Sequence, residues 1–171
     1  LDLETTGLNP DEDDIIEVGA AKFEGDQLID TFSTLINPGR GVPERITAIT
    51  GIRTEDLIGQ PRFHEVLPRL RSFIGAHPVV GHNVDFDLAF LARHRLLLDN
   101  ATIDTYDLAS VLLPTAPRYS LNGLTTQLGL ETSESHRALA DAEAAGRLYW
   151  LLWERALALP LETLTEIVQA A

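Results

Sequence analysis

The sequence predicts a single α/β domain in which helices cover a mixed β-sheet. Three predicted strands come first along the chain, and helices then alternate with two further strands, as expected for a sheet with helices packed on its faces. The chain has 171 residues, of which 44% are hydrophobic. This is enough for one substantial core but too short for two ordinary domains, so we expect residues 1–171 to form one domain with one site.

Three segments near the amino terminus have the composition of β-strands. Residues 1–4 read as the end of a strand, because the turn-forming run Thr-Thr-Gly follows directly. Residues 15–23 are rich in Ile, Val and Ala, and residues 28–36 follow after a short turn at Gly25. We expect these last two segments to form an antiparallel hairpin.

The middle of the chain combines helices with one short strand. Pro43 favours the start of a short helix, which Gly51 ends. A longer helix follows, since apolar residues recur there at steps of three and four: Phe63, Val66, Leu67, Leu70, Phe73 and Ile74. Residues 78–82 have the composition of a short buried strand, and residues 84–95 that of a helix.

The remaining third is mainly helical. Residues 102–105 are predicted as a fifth strand that runs into a helix through Leu113. A short helix over residues 120–128 and a long one over residues 138–159 follow. Residues 160–171 begin with a proline and continue as an amphipathic helix, which we interpret as a linker helix to a further domain.

Composition limits the classes of protein to which the chain can belong. The absence of Cys excludes disulfides, thiolate metal sites and cysteine nucleophiles. The apolar runs span only a few residues and nothing resembles a secretion leader, so we expect a soluble protein of the cytoplasm without a membrane span. Since the chain begins at Leu1 and contains no Met, we expect the start of the first strand to lie outside this sequence.

The net charge argues against a broad surface for nucleic acid. The chain carries 26 acidic and 13 basic side chains, a formal net charge of -13. Non-specific affinity for nucleic acid comes mainly from Lys and Arg side chains that neutralise phosphates. A site in which divalent cations neutralise carboxylates would instead hold a strand end locally, and any extended grip would come from another domain or a partner.

Two acids lie side by side on the first predicted strand. Asp2 and Glu4 alternate with Leu1 and Leu3, so both carboxylates project from one face and both leucines from the other. Such a pair is destabilising on a buried strand unless the two groups share a proton or hold a cation, and oxygen ligands of this kind suit Mg²⁺ or Mn²⁺. The alternative is an exposed strand end with two solvated acids.

Two further groups of polar residues lie near predicted helix starts. Asp85 and Asp87 face different directions on a helix, so only one of them can join the first-strand pair, and acids at such positions are also common for helix-dipole reasons. His136 and Asp141 are five residues apart, which separates their directions by about 140° on a helix. If Asp141 points into a site from the long helix, His136 reaches it from the loop or first turn ahead; the alternative is a surface histidine and a helix-start acid.

Together these groups form three motifs of a known family. They are Asp-x-Glu-Thr-Thr-Gly-Leu at residues 2–8, His-Asn-x-x-Phe-Asp at residues 82–87 and His-x-Ala-x-x-Asp-Ala at residues 136–142. In order and separation they resemble the DnaQ-like 3′–5′ exonuclease superfamily in its histidine-containing, four-carboxylate (DEDDh) form, and the resemblance covers nearly the whole chain. It implies a ribonuclease-H-like fold, with a five-stranded mixed β-sheet flanked by α-helices.

The resemblance also assigns roles to individual residues. It makes Asp2, Glu4, Asp87 and Asp141 the acids that bind two divalent cations, Mg²⁺ or Mn²⁺, and His136 the general base, and it selects Asp87 over Asp85. The residues expected to contact the substrate are Thr5, Thr6, Gly7, Leu8, His82, Asn83 and Phe86. Leu8 would wedge against the last base of the strand, or it could be an apolar turn residue without a role in binding. Phe86 could likewise be an aromatic residue of the core. Asp104 would support the site or cap a helix.

The expected activity is removal of 5′-mononucleotides from single-stranded 3′ ends of DNA. Alternatives are an RNA-directed relative, because the chemistry touches phosphates and not the sugar, and a catalytically inactive interaction module. The resemblance extends to exonuclease domains fused to DinG-type helicases and to proofreading exonucleases of DNA polymerase III, so a helicase or polymerase is the expected partner.

Overall fold

The computed structural model describes residues 1–96, 99–130 and 136–170, and in this part of the chain five strands form two ladders. The first is antiparallel, in the order β1 (Asp2–Thr5), β2 (Ile15–Glu24), β3 (Gln27–Leu35). The second is a parallel pair of β4 (Val79–Gly81) and β5 (Thr102–Asp104). All five predicted strands are therefore present, and the predicted hairpin of β2 and β3 is confirmed.

The two ladders meet at β1 and β4, where a backbone hydrogen bond joins them. The backbone nitrogen of Leu1 donates to the carbonyl oxygen of Val80 at 2.8 Å. The next donor on the same edge, the N–H of Leu3, binds Asp87 Oδ1 at 2.9 Å. Because the chain leaves β4 at Gly81 and turns into a helix, a side chain takes the place that a strand carbonyl would otherwise occupy.

Seven α-helices are described, together with a short 3₁₀ helix at Thr54–Leu57 that the sequence pattern did not predict. The helices are α1 (Glu44–Thr50), α2 (Phe63–Ile74), α3 (Val84–Ala92), α4 (Thr105–Leu112), α5 (Leu121–Gln127), α6 (Ala138–Leu157) and α7 (Leu161–Ala170). The third helix ends three residues before the predicted 95, since the chain turns and Arg95 has a left-handed φ of 52°. Ala171, the last residue of the predicted final helix, lies outside the described residues.

The long helix α6 lies directly on β2, and this places its first turn beside β1. A Cβ at Gly19 would overlap the backbone of Ala138 and Leu139, and one at Gly146 would overlap the ring of Phe23. Two glycines therefore allow the close approach of helix and strand. On its other side α6 packs against α4 and α5 through the buried residues Ala109, Leu113, Leu124, Leu148 and Leu152.

A second core lies where β1 to β3 meet α2 and α3. Its largest fully buried members include Phe90, Leu70 and Leu91. The face of β1 that carries Leu1 and Leu3 belongs to this core, which leaves the opposite face of β1 for the acids. Among the described residues, no helix combines the length and the apolar character that crossing a membrane requires.

Candidate metal-binding active site

Three carboxylates from opposite ends of the chain converge at one place. Asp2 and Glu4 project from the same face of β1, as their alternation with leucines predicted, and Asp141 reaches them from the first turn of α6. One oxygen of each carboxylate lies within 4.8 Å of the others, and all three side chains are half-buried. An arrangement of hard oxygen donors at this spacing can hold a divalent cation.

Asp87 lies next to this cluster but belongs to a different element. It is 4% exposed in the first turn of α3, and its Oδ1 accepts the hydrogen bond from the N–H of Leu3. Its charge raises the pKa of Asp2 and of Glu4, so it adds to the same electrostatic field. Asp85 is exposed, and the geometry thus favours Asp87 over its neighbour, as the motif implied.

The carboxylates of this site are harder to ionise than ordinary acids. Burial raises the pKa of Asp2 well above its usual value, and repulsion from Asp87, Asp141 and Glu4 adds to the effect. Burial, followed by the charges of Asp141 and Glu17, raises the pKa of Glu4 to about 7. Burial also raises the pKa of Asp87 to about 7, and it raises the pKa of Asp141 above its ordinary value. Full ionisation of the four carboxylates near neutral pH is therefore unfavourable without added positive charge.

His136 lies immediately ahead of α6, where the angular argument from the sequence expected it. Its backbone has a left-handed φ of 64°, and its N–H donates to Asp141 Oδ2 at 3.0 Å. The side chain is exposed, and the hydrogen bond and charge of His136 offset part of the rise that burial causes in the pKa of Asp141. The bond to Asp141 fixes the backbone that carries the imidazole.

The turn after β1 holds itself together through the residues expected to contact substrate. Thr5 Oγ1 donates to the carbonyl of Gly7 at 2.6 Å, while Thr6 donates its hydroxyl to Asp13 Oδ1 at 3.1 Å and its N–H to Asp14 at 2.8 Å. A Cβ at Gly7 would overlap the Asp13 carboxylate. Substrate contacts through the Thr5 or Thr6 hydroxyls would thus compete with bonds that the turn already makes, and these contacts stay predictions.

Leu8 is the residue that this turn presents to solvent. Its side chain is 81% exposed, although Leu is a large apolar residue. Arg40 donates to Thr6 Oγ1 and to the carbonyl of Glu12, and Arg93 donates to the carbonyls of Pro10 and Asp13. Two arginines therefore hold the loop that carries Leu8.

The second motif is fixed by hydrogen bonds around the end of β4. Thr105 Oγ1 donates to the carbonyl of Gly81 at 3.0 Å, so its oxygen accepts from His82 Nδ1 at 2.9 Å. His82 Nε2 is buried and has no hydrogen-bond partner among the described residues, and burial lowers the pKa of this histidine. Asn83 is exposed with a φ of 57°, and Phe86 is half-buried with its ring centroid 5.1 Å from that of Phe90. Phe86 thus packs on the core at least on one side.

Asp104 caps two helices at once. Its Oδ1 accepts from the N–H groups of Asn83 at 3.0 Å and Tyr106 at 2.7 Å, and its Oδ2 accepts from Val84 at 2.9 Å. The first turns of α3 and α4 therefore share one carboxylate. Of the two roles considered for Asp104 in the sequence, capping is the one that these contacts describe.

Sequence reasoning missed one pair of residues beside the site. Glu17 is 2% exposed in β2, opposite Glu4 in the register, and binds the guanidinium of Arg137 with a shortest distance of 2.7 Å. A signal was available, because Glu17 is the one charged residue in the otherwise apolar run at residues 15–21. A charge in a buried strand requires a partner, and the residue next to His136 supplies it.

Comparison with known proteins places this geometry in a family. A family model for exonucleases, named after RNase T, matches residues 1–149. The DNA polymerase III subunit epsilon of Aquifex aeolicus is 36% identical over 154 residues, which are 87% of this chain and 76% of that protein. A PolC-type DNA polymerase III of Thermotoga maritima is 40% identical over 87% of this chain, which spans only 11% of that polymerase.

A solved structure gives the same result for the fold. Exonuclease X in complex with 5′ overhanging duplex DNA superposes with a TM-score of 0.74 at 25% identity, over 97% of this chain and 96% of that one. The predicted ribonuclease-H-like class is thereby confirmed. With its family model, its relatives and its fold in agreement, the chain belongs to the DnaQ-like exonuclease family.

Proposed function

We propose that this domain is a metal-dependent 3′–5′ exonuclease that removes 5′-mononucleotides from single-stranded DNA ends. The observation that carries the proposal is the convergence of Asp2, Glu4 and Asp141 within 4.8 Å, with Asp87 buried beside them. Membership of the exonuclease family supports it. DNA is favoured as substrate because the relatives are named as DNA polymerase III proteins and the solved neighbour holds DNA.

The four carboxylates fit a pair of divalent cations. They offer only oxygen ligands, which Mg²⁺ and Mn²⁺ prefer. Burial raises the pKa of Glu4 and of Asp87 to about 7, and for Glu4 the neighbouring negative charges add to this effect, so bound cations would favour the ionised carboxylates. Asp2, Glu4 and Asp141 would hold one cation, and Asp2 with support from Asp87 the other. When bound, the cations would supply Lewis acidity toward the phosphodiester and toward the attacking water.

The protein's own contribution is positioning and proton transfer. His136 takes a proton from the attacking water on an imidazole nitrogen, which its exposed place ahead of α6 permits. The N–H of His136 holds Asp141 Oδ2, so the proposed base and a proposed metal ligand keep a fixed spacing. Asp87 is held by the N–H of Leu3 in the same way.

The strand end would be received by the turn after β1 and by the start of α3. The exposed side chain of Leu8 packs against the last base, and Gly7 brings the backbone near the terminal nucleotide. The strand end would be contacted from the other side by His82, Asn83 and Phe86.

A polymerase is the partner that the relatives favour. The epsilon subunit and the PolC-type polymerases are both named as DNA polymerase III proteins, whereas none of the relatives described above is a helicase. An acidic domain of net charge -13 also suits a setting in which another domain or subunit holds the DNA. We therefore propose proofreading beside a polymerase as the setting of the activity.

The test is a nuclease assay paired with isothermal titration of Mn²⁺. The wild type, Asp2→Asn and His136→Ala are given 5′-labelled single-stranded DNA and RNA oligomers. Asp2→Asn is expected to lose both Mn²⁺ binding and hydrolysis, and His136→Ala to lose hydrolysis with Mn²⁺ binding largely retained. Full activity of either variant would contradict these roles, faster RNA hydrolysis would favour the RNA-directed relative, and an inert wild type would favour the inactive module.

A further inference from the structure

The ion pair between Glu17 and Arg137 is unusually complete. Arg137 Nη2 donates to Glu17 Oε1 at 2.7 Å, and Arg137 Nε lies 3.2 Å from both carboxylate oxygens. Glu17 Oε2 also accepts the N–H of Ala138 at 3.0 Å. A buried carboxylate thus binds the guanidinium side-on and satisfies one of the free N–H groups at the start of α6.

The position of the pair connects the two halves of the proposed site. Glu17 stands opposite Glu4 in the pairing of β1 and β2. Arg137 lies between His136 and the first residue of α6, the helix that carries Asp141. The ion pair therefore joins β2, the neighbour of the strand that carries Asp2 and Glu4, to the segment that carries His136 and Asp141. It spans 120 residues of sequence.

We propose that Glu17 and Arg137 are positioning residues that hold His136 and Asp141 in register with Asp2 and Glu4. The inference rests on the proposed function, and it adds two residues that touch neither metal nor substrate in that scheme. A side-on Arg–carboxylate contact fixes orientation as well as distance, which a point charge such as Lys cannot do. Because the N–H of His136 binds Asp141 Oδ2 one turn further on, a shift at Arg137 moves both residues.

The backbone around the pair supports the same role. At Gly19, two residues along β2 from Glu17, the strand contacts the backbone of Ala138 without an intervening side chain. Helix α6 therefore has little freedom to tilt away from β2 while the ion pair is in place. Loss of the pair leaves Glu17 charged and buried, which favours movement of the helix start toward solvent.

Two other roles for Arg137 make different predictions. The side chain of Arg137 is 46% exposed, so direct contact with a phosphate of the nucleic acid is the first of them. It also has a role in stability, as any partner of a buried acid does. Direct phosphate contact would act on KM and independently of Glu17, whereas positioning acts on kcat and through Glu17.

The experiment is a double-mutant cycle on the full chain with Arg137→Ala, Glu17→Gln and the double variant, together with Arg137→Lys. Arg147→Ala is the matched control, because Arg147 is an exposed arginine on the same helix. Each protein is assayed for kcat and KM on a single-stranded DNA oligomer with Mn²⁺. Amide hydrogen exchange of residues 136–142 is measured without metal, and folding is checked by circular dichroism.

Positioning predicts a fall in kcat of about 10- to 100-fold for Arg137→Ala, the range seen when supports of metal ligands are removed, with KM little changed. Glu17→Gln should act alike, the double variant should be no worse than Arg137→Ala, and Arg137→Lys should recover only part of the rate. Exchange at residues 136–142 should accelerate in Arg137→Ala and not in Arg147→Ala. If Arg137→Ala unfolds, kcat and amide exchange are compared between the wild type and the double variant, which leaves no unpaired charge buried.

Additive losses, a change confined to KM, or unchanged exchange at residues 136–142 would overturn the inference. If the wild type and the control both fail to hydrolyse DNA, the proposed function fails. The exchange measurement then still decides whether the pair orders the His136 segment.

Discussion

The N–H of Leu3 donates to Asp87 Oδ1 at 2.9 Å, so a strand amide and a helix carboxylate hold each other across 84 residues of sequence. This contact places Asp87 beside the acids of β1 and leaves Asp85 exposed to solvent, although the two aspartates are only two positions apart. Asp87 and Asp85 therefore allow a controlled comparison between a charge inside the proposed site and a charge outside it.

Asp87→Asn is expected to lose activity where Asp85→Asn does not. Both variants remove one negative charge from the first turn of α3, but only Asp87 adds to the field around Asp2. We expect Asp87→Asn to lower kcat by about 100-fold or more and Asp85→Asn to change it less than about 3-fold. Single-turnover hydrolysis of labelled DNA measures both, and comparable losses in the two variants would refute the assignment.

The metal-free protein is expected to lose stability as the pH rises through neutrality. The folded state raises the pKa of Glu4 from 4.5 to about 7, so the folded protein binds the proton more tightly than the unfolded chain does. The resulting stabilisation is complete below about pH 4.5 and disappears as the pH rises through about 7. Melting temperatures in EDTA between pH 5 and 8 should therefore fall more steeply for the wild type than for Glu4→Gln.

Mn²⁺ should reverse this loss, since a cation that binds only the folded state stabilises it. Added at pH 8, it should raise the melting temperature of the wild type but not that of Asp2→Asn. At pH 5 the effect should shrink, because protons compete for the same carboxylates. A Mn²⁺ effect that is independent of pH would contradict the proposed ligand set.

Gly19→Ala is expected to disturb the site without touching a charged residue. The added Cβ overlaps the backbone of Ala138, so α6 must move away from β2. We expect the free energy of unfolding to fall by about 1–3 kcal/mol, the usual cost of overpacking, and Mn²⁺ affinity to fall with it. Gly41→Ala is the control, since its Cβ would lie 3.6 Å from Thr54 Oγ1, an ordinary contact. Equal free energies of unfolding for the two variants in urea titrations would argue against the close approach of α6 to β2.

Leu8→Ala should raise KM for single-stranded DNA. An apolar side chain that is 81% exposed in the free protein gains most when a base covers it. Loss of that contact is expected to raise KM by about 10-fold, with stability unchanged because Leu8 contributes little to the core. Ile58→Ala, which removes another exposed apolar side chain at 75% exposure, should leave KM unaltered. If the KM of Leu8→Ala equals that of the wild type, Leu8 is an apolar turn residue that does not contact the substrate.

The local patterns of the sequence predicted the secondary structure well, whereas the choice of Asp87 over Asp85 came from the family motif. Alternation on β1 placed Asp2 and Glu4 on one face, and the five-residue interval correctly placed His136 ahead of the helix that carries Asp141. These features depend on backbone geometry within a few residues. The bond from the N–H of Leu3 to Asp87 was not predicted, because it joins two groups that are 84 residues apart in the sequence.

Contacts between distant residues account for the other differences. Glu17 and Arg137 are 120 positions apart, and no local period connects them. Thr6 was expected to contact substrate through its amide or its hydroxyl, whereas Asp13 and Arg40 bind the hydroxyl through loop geometry that composition alone does not determine. The sequence therefore predicted which residues share a face of a strand or helix, but it did not predict the hydrogen-bond partners of side chains in loops.

The shared cap at Asp104 has a consequence for how this fold can tolerate change. One carboxylate anchors the beginnings of both α3 and α4, so the spacing of these helices is set at their starts rather than by the length of chain between Ala92 and Thr102. Loss of this one carboxylate would release both helix starts together, including the first turn of α3 that carries Asp87. The placement of Asp87 therefore depends on a residue outside the proposed set of metal ligands.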